Sequence, residues 1–275
     1  MEGKITTIVD KALDKIPVDK VYEDLAQAGL QKAGRALADI IEVVTLPLLP
    51  LLHAKKRVVV YLDSNLRQYE EKLNEKRKEP SKVPAFLGVP ILQKLTFLSQ
   101  GELAEAFINL LTNASFDDSI HKVHPAFIST LSDLSRDEAV ILQSLKTKKS
   151  IPCIDMEVHF MEQHDAGRYA FTRTPLSRLT GFEKTLALHF PNNIELYLRN
   201  LERLGIFAFR NDALANRDDD YRQLEDYYSE DIGTMKDIAA QQSEKEGRQF
   251  EAKIVRLIFE ITPFGRDFIQ ACLSD

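Results

Sequence analysis

The sequence predicts a mainly α protein: N-terminal long helices and a small helical bundle, followed by a winged-helix-like α+β module with an extra hairpin and an extended acidic wing. Three observations carry that expectation. Apolar residues recur at three- and four-residue steps through most of the first 147 positions. At residue 151 the period changes to alternation. From the helix at 138–147 onward the signals run helix, strand, helix, helix, two strands and a helix, which is the order of a winged helix. The expected division is an N-terminal helical region at 1–80, a bundle at 81–147 and the winged-helix-like module at 138–275, which shares the helix at 138–147.

A chain of 275 residues suits about two domains at ~150 residues each. Its 44% apolar and 28% charged content is ordinary globular usage, so a full core can form. Net charge is −6, and its distribution matters more than its sum. Residues 211–247 hold eleven Asp and Glu against four Lys and Arg, so the rest of the chain is near +1. That balance argues mildly against non-specific nucleic-acid binding, which needs a basic footprint. Cys153 and Cys272 lie too far apart for a ligand pair and fit free thiols in a reducing compartment. The first fifteen residues lack the apolar core and cleavage site of a signal peptide, so the expected location is the cytoplasm.

The first predicted helix runs over 18–45. Val18, Val21, Tyr22, Leu25, Leu37, Ile40, Ile41 and Val44 share one stripe, broken by the small residues Ala26, Ala28, Gly29, Ala33 and Gly34. Pro47 and Pro50 end it, since proline lacks the amide hydrogen and clashes with the preceding turn. A second helix spans about 53–79, a rod roughly 40 Å long. Its residues Val59, Leu62, Leu66, Tyr69 and Leu73 form a coiled-coil-like seam, the candidate surface for self-association. Packing of that stripe inside its own chain is the equal alternative. Pro80-Ser-Lys-Val-Pro84 reads as a linker.

Within 89–147 the start signals are local. Ser99-Gln-Gly-Glu102 and Ser135-Arg-Asp-Glu138 both have the capping-box pattern, in which Ser and Glu reciprocally satisfy free amides. Pro125 suits a first helical position. Ile154, Met156, Val158 and Phe160 then alternate with polar residues as a half-buried strand, and a turn near Asp165-Ala-Gly167 returns through Tyr169 and Phe171. Thr180 is expected to cap a helix over about 181–190 and Asn192 the next, which Gly205 ends. That helix, at 193–204, holds the recognition position of a winged helix. Strands follow at 206–210 and 253–261, separated by the acidic insert 211–250, and Thr262-Pro263 opens a last helix.

Several segments in this order resemble the abortive-infection alpha family of bacterial phage-resistance proteins. They are Val21-Tyr-Glu-Asp-Leu-Ala-Gln27, Val89-Pro-Ile-Leu-Gln-Lys-Leu95, the run from Glu102 to Ser115, Val123-His-Pro-Ala-Phe127 with Leu134-Ser-Arg-Asp-Glu138, and Asn200-Leu-Glu-Arg-Leu-Gly205. The resemblance covers 20–147 well and the C-terminal part more loosely. It implies a role in stopping phage propagation and transfers no catalytic residue.

The residues themselves indicate no enzyme and no cofactor. No phosphate-cradling glycine loop, nucleophile elbow or HExxH is present. His121 and His124 lie three apart without the further ligands a zinc site needs. His159, His164 and Asp165 fall on a strand and its turn, and Asp218-Asp219-Asp220 lacks the alternation of a calcium loop. On the recognition-position helix the exposed set is expected to be Asn193, Glu195, Arg199, Asn200, Glu202 and Arg203. Arginine and asparagine read bases in a major groove, but the glutamates offset the arginines, as in the pair Glu195–Arg199. The expected partner is therefore a protein or a second copy, with DNA-binding transcriptional regulation as the alternative. Residues 36–52 are the most apolar stretch. They are too short and too interrupted to span a bilayer, which leaves a buried core segment first and a membrane-active effector second.

Overall fold

Regular structure begins, in this computed structural model, where an amphipathic stripe meets a cap. The structure describes residues 31–40, 56–161, 169–211 and 217–274; side chains at 56–60, 161 and 169–172 are outside the description. The expected turn at 165–167 and the parts of the first helix before 31 and after 40 lie outside the described residues. The chain divides into two units, 1–134 with 271–275, and 135–270.

In the first unit, α1 (Gln31–Leu37) buries Ala33, Ala36 and Leu37. The carboxylate of Glu70 accepts the amides of Lys32 (3.2 Å) and Ala33 (2.6 Å), supplying the partners that a helix start leaves unsatisfied. Regular helix stops at Leu37 instead of running to 45. The carbonyl of Ala36 is taken by the amide of Val83 at 2.9 Å, and Ile40 closes a tighter turn onto Leu37. The next helix, α2 (Lys56–Glu75), carries the predicted seam. Leu66, Tyr69 and Leu73 are fully buried in the chain's own core, Leu62 is half-buried, and the side chain of Val59 is outside the description. From Leu66 onward the stripe is covered, because α2 packs on α1, α3 (Ala85–Leu95) and α4 (Glu102–Ala114). Asn65 donates to the carbonyls of Leu95 (2.8 Å) and Leu98 (2.9 Å) beyond the end of α3.

The expected box at Ser99 does not form. Helix α4 starts at Glu102 with Gly101 as its cap, at φ 149°, a conformation that only glycine adopts readily, so Ser99 stands too far back. Helix α5 (Pro125–Ser132) starts at its proline, with Nδ1 of His124 accepting the Ala126 amide at 3.1 Å.

The second unit opens on α6 (Arg136–Ser144), where the box at Ser135 is complete. The Ser135 hydroxyl accepts the Glu138 amide at 3.2 Å and the Glu138 carboxylate accepts the Ser135 amide at 2.5 Å. Strands β1 (Ser150–Met161) and β2 (Tyr169–Leu179) form the predicted hairpin pair. The helix expected over 181–190 is only one turn, α7 (Phe182–Thr185), started by Gly181 at φ 75° without a Thr180 cap. A 3-10 turn, Pro191–Asn193, then leads into α8 (Ile194–Arg203), so the cap position moves from Asn192 to Asn193. Gly205, at φ 74°, ends that helix as expected.

Strand β3 (Phe207–Arg210) pairs with β4 (Gln249–Ile261), and β4 pairs with β1 along its whole length. The four antiparallel strands stand in the order β2-β1-β4-β3. Ile151, Phe207, Leu257 and Phe259 build one buried face of the sheet.

On the other face the acidic insert departs from a solvated wing. It folds as two helices, α9 (Asp218–Tyr227) and α10 (Ser229–Glu246). Tyr221, Leu224, Tyr228 and Ile232 pack with Ile154 and Met156 of β1 in one core cluster. The Tyr221 hydroxyl donates to the Leu257 carbonyl at 2.9 Å, and Arg256 of β4 pairs with Asp218 (2.6 Å) and Glu225 (2.7 Å). The alternation of acid and apolar residues here is that of an amphipathic helix: one side is charged and the other completes the core. The last helix, α11 (Pro263–Cys272), follows β4. Thr262 caps it by accepting the Gly265 amide at 2.9 Å, and Asn109 and Asn113 of α4 donate to its final carbonyls at Cys272 (3.0 Å) and Ala271 (2.9 Å).

Two side chains in the first turn of α6 fix α8. Asp137 accepts the amides of His189 and Phe190 and the hydroxyl of Tyr197, each at 2.8 Å. Glu138 accepts the Asn200 amide group at 2.7 Å with the oxygen its capping box leaves over. Both carboxylates are only 3% exposed. Burial pushes the Asp137 carboxyl up, but the three donors outweigh it and hold the group below its ordinary value.

Two measurements test this account. Leu224→Ala should destabilise the second unit by about 2–4 kcal/mol in urea unfolding, since the insert is core and a cavity remains; a change within ~0.5 kcal/mol would place the insert outside the core. Asp137→Asn should cost about 2–3 kcal/mol near neutral pH, because one amide nitrogen would face donors. A depressed carboxyl stabilises the fold above its ordinary value, and that contribution is lost as pH falls through the folded value. The gap between wild type and Asp137→Asn should therefore narrow below about pH 4. A gap independent of pH would refute the charged role.

Candidate functional site

The second unit presents α8 as its clearest surface for recognition. Because Asp137 and Glu138 hold its inner side, Tyr197, Leu198 and Leu201 face the core and the opposite side faces outward. Of the predicted residues, Asn193, Glu195, Arg199 and Arg203 are exposed, while Asn200 and Glu202 are half-buried. Glu195 accepts from Arg199 at 2.6 Å and from Ser177 at 2.9 Å; the Arg199 hydrogen bond does most to hold its carboxyl below the usual range. Arg203 donates to the Asn200 carbonyl at 3.0 Å, so Asn200 is engaged on both ends of its amide. The polar side of α8 is thus a set of short ion pairs and amide bonds with little unpaired charge.

Three contributors escaped the sequence reading. Phe190, just before α8, and Leu196 on its first turn are 59% and 64% exposed, an unusual cost for apolar side chains beside a polar face. Alternation and cap signals rank such residues as core, so nothing in the pattern marks them as exposed. Arg178 is the third. It sits at φ 59° in a bulge of β2, a region that favours glycine. There its amide donates to Asp155 at 2.5 Å and its guanidinium reaches Glu202 of α8 at 2.7 Å while lying 4.8 Å from the Phe209 ring centroid. Burial pushes the Asp155 carboxyl up, and Arg178 offsets part of that rise. Arg178 therefore ties β2, β3 and α8 together with one side chain.

The remaining candidates are placed elsewhere. His121 and His124 are exposed, the latter serving as the cap of α5. His159 is buried on β1 with Glu157 at 2.9 Å, and His164 and Asp165 lie outside the described residues. Among the described residues no three His, Cys, Asp or Glu converge as a metal site. Asp218 and Asp220 are engaged by Arg222, Arg256 and Arg217, and Asp219, almost fully exposed, also pairs with Arg222 at 3.4 Å. Cys153 and Cys272 are free and buried, and burial pushes both thiols up, away from nucleophilic thiolate. Within 36–52, Ala36, Leu37 and Ile40 are buried in the first unit, Ala38 is half-buried, Asp39 is exposed, and 41–52 lie outside the description. No helix among the described residues is long and apolar enough to cross a membrane.

Comparison with known proteins places the chain in a family. No curated protein matches the chain. A solved structure of an uncharacterized protein from the hydrocarbon-degrading marine bacterium Alcanivorax borkumensis SK2 is similar at 15% identity, over 54% of this chain and 93% of that one. Its TM-score of 0.27 is too low to support an argument about fold. The sequence profile described as abortive infection alpha matches residues 62–272, which include both the bundle and the sheet module. The chain belongs to the abortive infection alpha family.

Proposed function

We infer that the protein acts in abortive-infection defence against phage, without catalysis, through contact with a protein partner or a second copy of itself. Family membership across residues 62–272 carries the defence reading. The contact reading draws on the α8 surface. In it the second unit is an elaborated winged helix: α6, β1, α7, α8, β3 and β4 follow that order, and the sheet sets β1 beside β4 and β4 beside β3. The elaborations are the added strand β2 and the helical pair in the wing. A surface that recognises protein combines exposed aromatic or aliphatic anchors with neutralised charge, and Phe190, Leu196 and the pair Glu195–Arg199 supply both.

The same order of elements favours a second reading, a DNA-binding regulator. Duplex DNA rewards uncompensated positive charge, and here Arg178 is paired with Glu202 and Arg199 with Glu195. A membrane-active effector using 36–52 is the third reading; release of dye from liposomes would support it and an absence of release would count against it.

Cells expressing the protein should give fewer plaques than empty-vector cells for at least one phage of a broad panel, with culture collapse at high multiplicity and survival at low. Equal plaque counts across the panel would remove the defence reading. In a gel-shift assay at low salt the wild type should leave duplex DNA unshifted. A shift abolished by Arg199→Glu with Arg203→Glu would instead establish the regulator.

A further inference from the structure

The first unit contains a cleft that the contact reading does not use. It measures about 320 Å³ and is lined by Lys76, Lys78, Asn113, Phe116, Asp118, Ser119 and Lys122. We propose that this cleft binds a phosphate-bearing anion of small size, with Lys76 and Lys122 as its principal charged contacts.

The local sequence explains why the lysines gather there. Helix α2 stops at Glu75, and Arg77 then takes φ 52°, the left-handed conformation that non-glycine residues rarely adopt. Its amide closes onto the Asn74 carbonyl at 3.1 Å. That reversal ends the rod inside the run Lys76-Arg77-Lys78 and brings both lysines to the cleft wall. The opposite wall is the loop after α4. It is shaped by the amides of Ser119 and Ile120 donating to the Phe116 carbonyl (3.0 and 2.9 Å) and by the Ser119 hydroxyl donating to Asn113 O at 2.8 Å. The one-turn 3-10 helix Ile120–Lys122 follows and delivers Lys122 to the rim.

The charge balance is uneven. Lys78 is paired with Asp118, and its hydrogen bond does most to hold that carboxyl below the usual range. Lys76 and Lys122 make no ion pair among the described residues. Lys122 also lies near enough to Asp118 to help lower its carboxyl, so the cleft sets three ammonium groups against one carboxylate, next to an amide and a hydroxyl. Ammonium groups on flexible stems serve as point-charge partners for phosphate. The volume and open mouth suit a diphosphate-sized group and are too small for a folded peptide segment.

Isothermal titration of the full-length protein with inorganic pyrophosphate tests this at low ionic strength, with sulfate and a short single-stranded RNA as parallel arms. The expected result is one saturable site for pyrophosphate. It should weaken at least ~10-fold in Lys76→Gln with Lys122→Gln. It should also tighten several-fold, about 3–10 times, in Asp118→Asn, where Lys78 is freed from its carboxylate. All three side chains are at the surface, and circular dichroism checks that the variants fold. Four outcomes would overturn the proposal: no saturation up to about 10 mM pyrophosphate, equal binding by the double variant, sulfate bound as well as pyrophosphate, or binding by RNA alone. The phage-panel assay is independent of it, so failure of one leaves the other reading standing.

Discussion

Two adjacent carboxylates on one helical turn fix the second unit. Asp137 and Glu138 lie at the start of α6, where free backbone amides and the helix dipole already favour negative charge. Each then does a second job at longer range. Asp137 gathers two backbone amides before α8 and the Tyr197 hydroxyl within it, and Glu138 holds Asn200 one turn further on. A buried carboxylate is costly unless its lone pairs are filled, and a carboxylate this well filled makes the reverse true: any movement of α8 strands charge in the core. The orientation of the outward face of α8 follows from that constraint.

The sheet is organised by the same economy of polar groups. One of its faces is aromatic and aliphatic, and Arg178 is surrounded there by Glu202, Asp155 and the rings of Phe209 and Phe259. The other face would be open to water if the insert were a loop. Instead α9 and α10 cover Ile154 and Met156, and Arg256 from the sheet meets Asp218 and Glu225 from the insert. Part of the acidity is therefore internal wiring, and the negative surface left to solvent is smaller than the residue count of 211–247 implies.

Local signals were the legible ones. The capping box at Ser135, the proline start of α5, the glycine stop at 205 and the alternation of β1 depend on neighbours within four residues, and the structure realises each. Signals that depend on distant partners misled. The helix expected to 190 stops at Thr185, and residues 189 and 190 present their amides to Asp137; one local signal also failed, the box at Ser99, which yields to Gly101. The seam on α2 has the spacing of a dimer surface, yet spacing cannot say whose helices cover it; Leu66, Tyr69 and Leu73 are covered by their own chain. Charge counts failed for a related reason. A run of aspartates looks the same whether it faces solvent or an arginine 38 residues away.

Where positive charge remains unpaired is more informative than where it is abundant. On α8 both arginines are spent on near neighbours, Arg199 on Glu195 and Arg203 on Asn200, so a polyanion gains little by docking there. In the first unit, Lys76 and Lys122 make no ion pair among the described residues and Asp118 is the acid among the residues lining the cleft, although the run around Lys76 looks like ordinary solvated charge in the sequence. The difference has a simple origin. A helix places i and i+4 side chains together, so Glu195 and Arg199 of α8 neutralise one another, whereas Lys76 lies beyond the end of α2 and the residues four before and four after it are Lys72 and Pro80. The outer side of α8 therefore has the chemistry of shape and apolar contact, and the cleft carries net positive charge.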